Sequence, residues 1–194
     1  MANEFYALLG RMRYITRWGL MRNSFSENIQ EHSHQVAVLA HALALIRRDV
    51  LGLPAPDPDS CAVAGLYHDA SEIFTGDLPT PIKYYNSTIK NAYKHVEFIA
   101  NSRLLELLPE QLRTAYQPYL MEADPCVETI VKAADKLAAY IKCVEEQKAG
   151  NAEFESAGRQ TLEALHAMGR EEVEWFIAEC LPAFSHSLDD LGIM

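Results

Sequence analysis

Apolar residues recur along most of this chain at the three-to-four-residue spacing of amphipathic helices. The clearest case is a predicted helix at about 29–50, whose apolar residues share one face. That face comprises Val36, Leu39, Ala40, Leu43 and Ile46. Capping chemistry at 26–28 precedes the helix, and Gly52 with the prolines after it ends it. The pattern therefore predicts a long helix with one buried face.

The same spacing predicts helices through nearly all of the remaining sequence. One predicted helix runs from a cap at Asp57 or Asp59 to about Phe74. The others cover about 4–14, 88–108, 110–121, 126–149, 153–168 and 170–180. Two prolines make the loop 76–81 rigid. No useful length of sequence alternates as a strand would. The pattern predicts an all-α fold, with a single-domain helical bundle over residues 1–194.

Composition supports an ordinary globular protein. Hydrophobic residues make up 49% of the 194 residues and charged residues 23%. Neither a membrane-length apolar run nor a signal peptide is recognisable, so the sequence predicts a cytoplasmic protein that does not enter a membrane. The four cysteines are widely spaced without a Cys-x-x-Cys pair, which favours reduced thiols over a zinc ribbon or disulfides.

Charge narrows the range of ligands. A formal net charge of −10 argues against binding to a nucleic-acid polymer, which requires basic patches. Residues 11–22 nevertheless contain four arginines and no acid. Local positive charge of this kind suits a small anionic ligand, but on charge alone a solvated basic helix face is the better explanation.

The most informative chemistry lies at 68–72. His68 and Asp69 follow the apolar run 61–67, and Glu72 comes one helical turn later. On a continuous helix, residues spaced by three or four positions are neighbours. An imidazole and two carboxylates on one patch beside core residues indicate a hydrolytic metal site rather than packing.

Two further residues complete a candidate metal site. His32 leads into the apolar face of the second helix, and Asp135 interrupts the helix-forming run 131–139. Two imidazoles and two carboxylates suit Mn²⁺, Co²⁺, Mg²⁺, Fe²⁺ or Zn²⁺. His34 points about 200° away from His32 on a helix. It is therefore expected to be a surface or supporting group rather than a ligand.

The order His…His-Asp…Asp on helices resembles the HD-domain metal-dependent phosphohydrolases. The chain is similar, over nearly its whole length, to the bacterial HD-domain 5'-deoxynucleotidases. The segments that carry this similarity are Arg17-Trp18, Glu31-His32-Ser33, residues 67–72, residues 75–81 and Ala134-Asp135. The resemblance implies an HD-type helical domain, a homodimer, and hydrolysis of deoxyribonucleoside 5'-monophosphates to deoxynucleoside and phosphate.

The resemblance also implies roles for individual residues. One divalent ion, with Co²⁺ or Mn²⁺ favoured over Mg²⁺, Fe²⁺ and Zn²⁺, would be bound by His32, His68, Asp69 and Asp135. Glu72 would handle the proton of a metal-activated water that attacks phosphorus. Substrate would be bound by Arg17, Trp18, His32, Asp77, Leu78, Pro79 and Thr80. In that set Arg17 binds phosphate, Trp18 orients it beside the sugar, and the segment 77–80 binds the nucleoside.

Two alternatives stay open at this point. An HD-type phosphohydrolase could act on another nucleotide, such as a cyclic nucleotide or (p)ppGpp, although the short chain and Arg17-Trp18 disfavour this. A helical interaction module with a closed structural metal site is the non-enzymatic alternative. The presence of Glu72 beside a complete ligand set argues against it.

Overall fold

The structure is a computed structural model that describes residues 3–83, 85–121 and 124–192. The α-helices are α1 Phe5–Leu9, α2 Ile29–Leu45, α3 Pro58–Tyr67, α4 Glu72–Thr75, α5 Thr80–Lys83, α6 Ser87–Glu106, α7 Glu110–Leu120, α8 Pro125–Lys148, α9 Glu155–Ala167 and α10 Glu171–Glu179. Short 3₁₀ segments occupy Gly10–Tyr14, Ala152–Phe154, Leu181–Ser185 and Leu188–Leu191, and a π turn occupies Ile46–Val50. Strand pairing in these ranges is limited to one isolated bridge, between Thr16 and Asn28. The all-α prediction is confirmed.

Three predicted helix starts have the expected side-chain caps. The side chain of Asn28 accepts a hydrogen bond from the backbone N–H of Glu31, and the side chain of Glu31 accepts one from the backbone N–H of Asn28. Asp57 caps α3, and Asp124 caps α8 with Pro125 in the first turn. Each cap satisfies backbone donors that have no partner within the helix. Local sequence therefore fixes where these helices begin.

The predicted continuous helix to Phe74 is wrong, because α3 ends at Tyr67 and α4 begins only at Glu72. Between them the backbone N–H groups bond to the carbonyl three residues back, as in the contact from Glu72 to Asp69. The imidazole of His68 also donates its Nδ1–H to the carbonyl oxygen of Gly65 at 2.8 Å. That carbonyl would otherwise accept the next helical hydrogen bond. A hydrogen bond from a side chain therefore takes the place of the next backbone hydrogen bond, and α3 ends here.

The first two predicted helices also change character before they end. Residues predicted as one helix over 4–14 form α1 and then tighten to a 3₁₀ segment at Gly10–Tyr14. The predicted helix at 29–50 forms α2 to Leu45 and then widens into the π turn. Both changes lie at helix ends, where assignments are least fixed by sequence.

Two clusters of buried side chains form the core, and the smaller one includes a residue of the turn at 68–71. The larger one joins α2, α3, α8, α9 and α10. The smaller one consists of Phe5, Ala70, Leu104, Leu108 and Leu120. Ala70 is fully buried in this smaller cluster. Ala70 thus anchors the turn that carries His68 and Asp69 in the smaller cluster.

Among the described residues, no helix has both the length and the apolar character needed to cross a bilayer.

Close contact between α2 and α3 depends on Gly65. A Cβ atom at this position would lie 2.7 Å from Cα and 2.9 Å from N of Ala37. These are backbone atoms of α2, so they cannot move away as a flexible side chain could. The absence of a side chain at Gly65 therefore sets the distance between α2, which carries His32, and α3, which ends just before His68.

Substitution Gly65→Ala should separate α2 from α3 and lower the free energy of unfolding by about 1–3 kcal/mol. The melting temperature should fall by at least about 3 °C for a chain of this size. Gly10→Ala is the control, because Gly10 has φ −60° and open space where a Cβ would lie. Equal melting temperatures for the two variants would contradict the steric argument.

Candidate active site

The four predicted metal ligands converge where α2, α8 and the turn after α3 meet. Nε2 of His32 lies 3.0 Å from Oδ1 of Asp135 and 3.6 Å from Oδ2 of Asp69. Nε2 of His68 lies 3.1 Å from Oδ2 of Asp69 and 4.0 Å from Oδ1 of Asp135. Each imidazole nitrogen therefore faces both carboxylates. The fold brings together residues that are up to 103 positions apart.

The histidines have the features of metal ligands. Because Nδ1 of His68 donates to Gly65, the neutral imidazole has its lone pair on Nε2. This Nε2 is buried and has no hydrogen-bond partner, and the fully buried His32 directs its Nε2 at Asp135. Ligand atoms of His32, His68 and Asp135 all lie within 4.8 Å of one another. The mixed nitrogen and oxygen set fits a divalent ion.

Without a metal, the cluster binds a proton in its place. Burial lowers the pKa of His68, but the carboxylates of Asp69 and Asp135 raise it more, to about 9. Burial opposes ionisation of Asp69, yet His68, His32 and Arg17 hold its pKa well below the usual range. The site therefore has strong affinity for positive charge at neutral pH.

Glu72 lies beside this cluster but is not one of the metal ligands. It begins α4, its side chain is buried, and its Oε2 has no hydrogen-bond partner. Burial, together with the charges of Asp69 and Asp77, raises the pKa of Glu72 to about 9, and Lys83 and Arg17 oppose that rise. A buried carboxyl group with a free oxygen is suited to accept or release a proton.

Arg17 and Trp18 share one acceptor, which the sequence did not predict. Nε of Arg17 donates to Oε2 of Glu27 at 3.1 Å, and Nε1 of Trp18 donates to the same oxygen at 2.9 Å. Nη1 of Arg17 lies 3.7 Å from Oδ2 of Asp69, so the arginine reaches the cluster of predicted metal ligands. Burial lowers the pKa of Arg17, but Glu27 and three aspartates raise it more, so its positive charge is secure.

Trp18 has an unusual backbone conformation. Its φ of 57° lies in the left-handed region, which bulky residues rarely adopt. The side-chain amide of Asn23 donates to the carbonyl oxygen of Trp18 at 3.2 Å. The indole of Trp18 packs edge-on against Phe154, with ring centroids 5.4 Å apart. Such strain is maintained only where neighbours determine it, and it is frequent at ligand sites.

The loop at 15–28, which carries Arg17 and Trp18, is fixed to α8 by a buried ion pair. Nζ of Lys142 donates to Glu146 at 2.5 Å and to the carbonyl oxygen of Phe25 at 2.7 Å. Glu146 also accepts from the backbone N–H of Ser24 at 2.8 Å and from Asn151 at 2.8 Å. Burial opposes ionisation of Glu146, but these donors hold its pKa at about 2. The same helix therefore provides Asp135 and fixes the loop.

The predicted nucleoside segment begins close to Arg17. Asp77 is half-buried, and burial raises its pKa while the charge of Arg17 opposes that rise. Leu78 and Pro79 follow in the loop, both half-buried, and the side chain of Thr80 lies outside the described part of the chain. Their roles in substrate binding stay predictions. His34 is exposed, as expected for a residue that does not share the metal.

Comparison with known proteins shows the family to which the chain belongs. A model of the YfbR-like 5'-deoxynucleotidase family matches residues 4–184. The chain belongs to this family. It is 47% identical over 192 residues to a 5'-deoxynucleotidase of Vibrio atlanticus, with 98% of each chain covered. It is 48% identical over 192 residues to a 5'-deoxynucleotidase of Erwinia tasmaniensis, with 98% of this chain and 96% of the other covered.

Solved structures place the family in the HD-domain fold. An HD-domain phosphohydrolase from Listeria innocua superposes with a TM-score of 0.79 at 22% identity, covering 93% of this chain and 88% of the other. The HD phosphohydrolase DatZ of cyanophage S-2L, bound to dA and one catalytic Zn²⁺ ion, gives a TM-score of 0.64 at 20% identity, covering 91% and 95%. The predicted HD-type fold and the resemblance to HD-domain 5'-deoxynucleotidases are confirmed.

Metal affinity should rise with pH. Because the pKa of His68 is about 9 in the metal-free protein, the imidazole is protonated at neutral pH and must release that proton to bind an ion. Affinity for Mn²⁺ should therefore increase up to about tenfold per pH unit between about pH 6 and 8. Calorimetry in buffers of different ionisation enthalpy measures the protons released.

The variants His68→Gln and His34→Gln separate this effect from general histidine titration. The first should lose most of the affinity for Mn²⁺, whereas the second should retain it, because His34 is exposed and points away from His32. Affinity that does not change with pH would contradict competition between proton and metal.

Proposed function

We propose that the protein hydrolyses deoxyribonucleoside 5'-monophosphates to a deoxynucleoside and phosphate. One observation carries the proposal: Arg17 and the buried Glu72 adjoin the cluster of His32, His68, Asp69 and Asp135. Names of the bacterial relatives support the substrate, since both proteins that are 47% and 48% identical are 5'-deoxynucleotidases.

The proposed cofactor is one divalent ion held by His32, His68, Asp69 and Asp135. Such an ion supplies positive charge for the phosphate and makes a nearby water more acidic. The related fold that is bound to dA and one catalytic Zn²⁺ supports a divalent ion and a deoxynucleoside at this kind of site. Co²⁺ and Mn²⁺ remain our preferred ions, with Zn²⁺, Mg²⁺ and Fe²⁺ as alternatives.

Glu72 is the proposed proton acceptor. Water attacks phosphorus opposite the O5' leaving group, and Glu72 takes the proton of the attacking water. As the P–O5' bond breaks, Glu72 passes this proton to O5', so that the deoxynucleoside leaves as a neutral alcohol and Glu72 is again a carboxylate. This role requires an ionised carboxylate, although burial gives Glu72 a pKa of about 9 without metal. A cation bound next to it would favour the ionised form. The free Oε2 atom leaves room for the proton.

Arg17 and Trp18 are the proposed contacts to phosphate and sugar. A guanidinium presents a planar set of donors that matches phosphate oxygens. The indole of Trp18 would lie against C2' of the sugar, where a ribose hydroxyl would collide. Steric rejection of one hydroxyl gives discrimination of about 10²-fold or less. Asp77, Leu78, Pro79 and Thr80 would bind the nucleoside, and His32 would contact substrate as well as metal.

Three properties stay predictions: a single HD-type domain over residues 1–194, a cytoplasmic location, and a homodimer, of which the homodimer rests on family resemblance alone. The substrate is proposed to be a mononucleotide and not a nucleic-acid polymer, in line with the net charge of −10.

A substrate panel tests the function directly. Phosphate release should be measured for all deoxyribonucleoside and ribonucleoside 5'-monophosphates, with Co²⁺, Mn²⁺, Mg²⁺ and Zn²⁺ supplied separately. We expect turnover of several deoxy substrates, lower turnover of the ribo forms, and none in excess chelator. Cyclic nucleotides and (p)ppGpp belong in the same panel. A clear preference for either of them would overturn the proposal in favour of the alternative phosphohydrolase.

The variant Glu72→Gln tests the proton acceptor. It keeps the size of the side chain but cannot take a proton, so kcat should fall by about 10²–10⁴-fold. Metal binding should persist, because Glu72 is not one of the four proposed ligands. Glu163→Gln, an exposed substitution on α9, is the matched control and should turn over normally. Normal kcat in Glu72→Gln would remove Glu72 from the mechanism.

A further inference from the structure

We infer that Glu27 is a positioning residue that holds Arg17 and Trp18 as one unit and thereby sets the preference for deoxyribonucleotides. The inference rests on the proposed function of those two residues. It concerns a residue that the sequence pattern identified only as part of a helix cap. Two side chains with different proposed tasks, phosphate binding and sugar recognition, meet at one carboxylate oxygen of Glu27.

Glu27 contacts Arg17 through both its side chain and its backbone. Besides the two side-chain hydrogen bonds, the carbonyl oxygen of Glu27 accepts the backbone N–H of Arg17 at 3.0 Å. The backbone N–H of Ile29 bonds to the carbonyl oxygen of Ile15 at 3.0 Å, next to the bridge between Thr16 and Asn28. The strand-like pairing therefore sets Glu27 beside Arg17 before any ligand arrives.

Because the contact between Arg17 and Glu27 is buried, it is strong enough to fix the orientation of the guanidinium. The side chains of Arg17 and Glu27 are only 12% and 10% exposed. Buried ion pairs are screened little by solvent, and a lost partner leaves a costly unpaired charge. Glu27 binds Nε of Arg17 and so fixes the plane of the guanidinium, while Nη1 lies on the side of Asp69. The donors for phosphate are thereby aimed before binding.

The same oxygen of Glu27 holds Trp18, whose φ lies in the left-handed region that bulky residues rarely adopt. The indole N–H to Glu27 and the edge contact with Phe154 fix the ring at two points. Because Arg17 and Trp18 share an acceptor, the distance between the phosphate contact and the sugar contact is constant. A constant distance allows a rigid indole face to reject a 2'-hydroxyl while Arg17 holds the phosphate.

Loss of Glu27 should leave the rest of the loop in place. Its anchor to α8 consists of separate contacts, from Ser24 and Phe25 to Glu146 and Lys142. Glu27 variants are therefore expected to fold and to bind metal, since the ligands lie on other elements. This separation makes the positioning role measurable apart from stability.

The experiment compares wild type, Glu27→Gln and Glu27→Ala on dAMP and AMP. Glu27→Ala should raise KM for dAMP at least about tenfold, the effect of losing hydrogen bonds to charged groups. It should lower the dAMP-to-AMP ratio of kcat/KM at least about fivefold. Glu27→Gln can keep an acceptor at the shared oxygen but has no charge, so both effects should be smaller. Glu163→Gln should match wild type in KM and in the ratio.

A spectroscopic readout without substrate makes the contact testable on its own. In a proton–nitrogen NMR spectrum of ¹⁵N-labelled protein, the indole N–H of Trp18 should give a hydrogen-bonded shift, assigned with Trp175→Phe. Glu27→Ala should move this signal towards the position of a free indole, and Glu27→Gln should move it less. A merely structural role for Glu27 would lower the melting temperature without changing the dAMP-to-AMP ratio.

The outcomes separate the two proposals. If wild type does not hydrolyse dAMP, the proposed function fails, and the indole shift alone then decides whether Glu27 holds Trp18. If wild type is active but Glu27→Ala keeps the wild-type ratio, Glu27 does not set specificity. If the indole signal also stays unchanged, the shared contact itself is overturned.

Discussion

The mutual attraction between two imidazoles and two carboxylates is the interaction on which the rest of this structure depends. His32, His68, Asp69 and Asp135 come from α2, α8 and the turn after α3, and their charges are compensated only when those elements meet. The apolar core brings the helices together, but it does not require ionisable groups at their junction. Gly65 permits the approach, and the cluster determines which cations the junction can accept.

A second set of charges extends this arrangement to the loop that carries Arg17 and Trp18. Arg17 bridges Glu27 and Asp69, so the loop and the cluster share electrostatic partners. On α8 the fully buried Glu146 and nearly buried Lys142 hold the other end of the loop. One helix therefore positions both the proposed metal site and the proposed phosphate and sugar contacts, which explains how distant segments of sequence can act on one small substrate.

The sequence predicted the features that local chemistry controls. The helical period predicted an all-α fold, and the caps at Asn28, Asp57 and Asp124 begin helices as expected. The break after Tyr67 could not be predicted from period, because the side chain of His68 takes the carbonyl of Gly65. The contacts of Glu27 with Trp18 and Arg17 could not be predicted, because these partners lie nine and ten residues earlier in an irregular loop. A shared acceptor at that separation has no sequence signature.

The buried pair of Lys142 and Glu146 has a consequence for the dynamics of the site. For the loop at 15–28 to swing away from α8, Ser24 and Phe25 must leave both charges without their backbone partners in the core. Each hydrogen bond to a charged group contributes about 1.5–3 kcal/mol, so losing both limits the open form to fewer than about one molecule in a hundred at equilibrium. The loop is consequently a fixed wall rather than a lid, and nucleotide recognition on that side needs no closing motion.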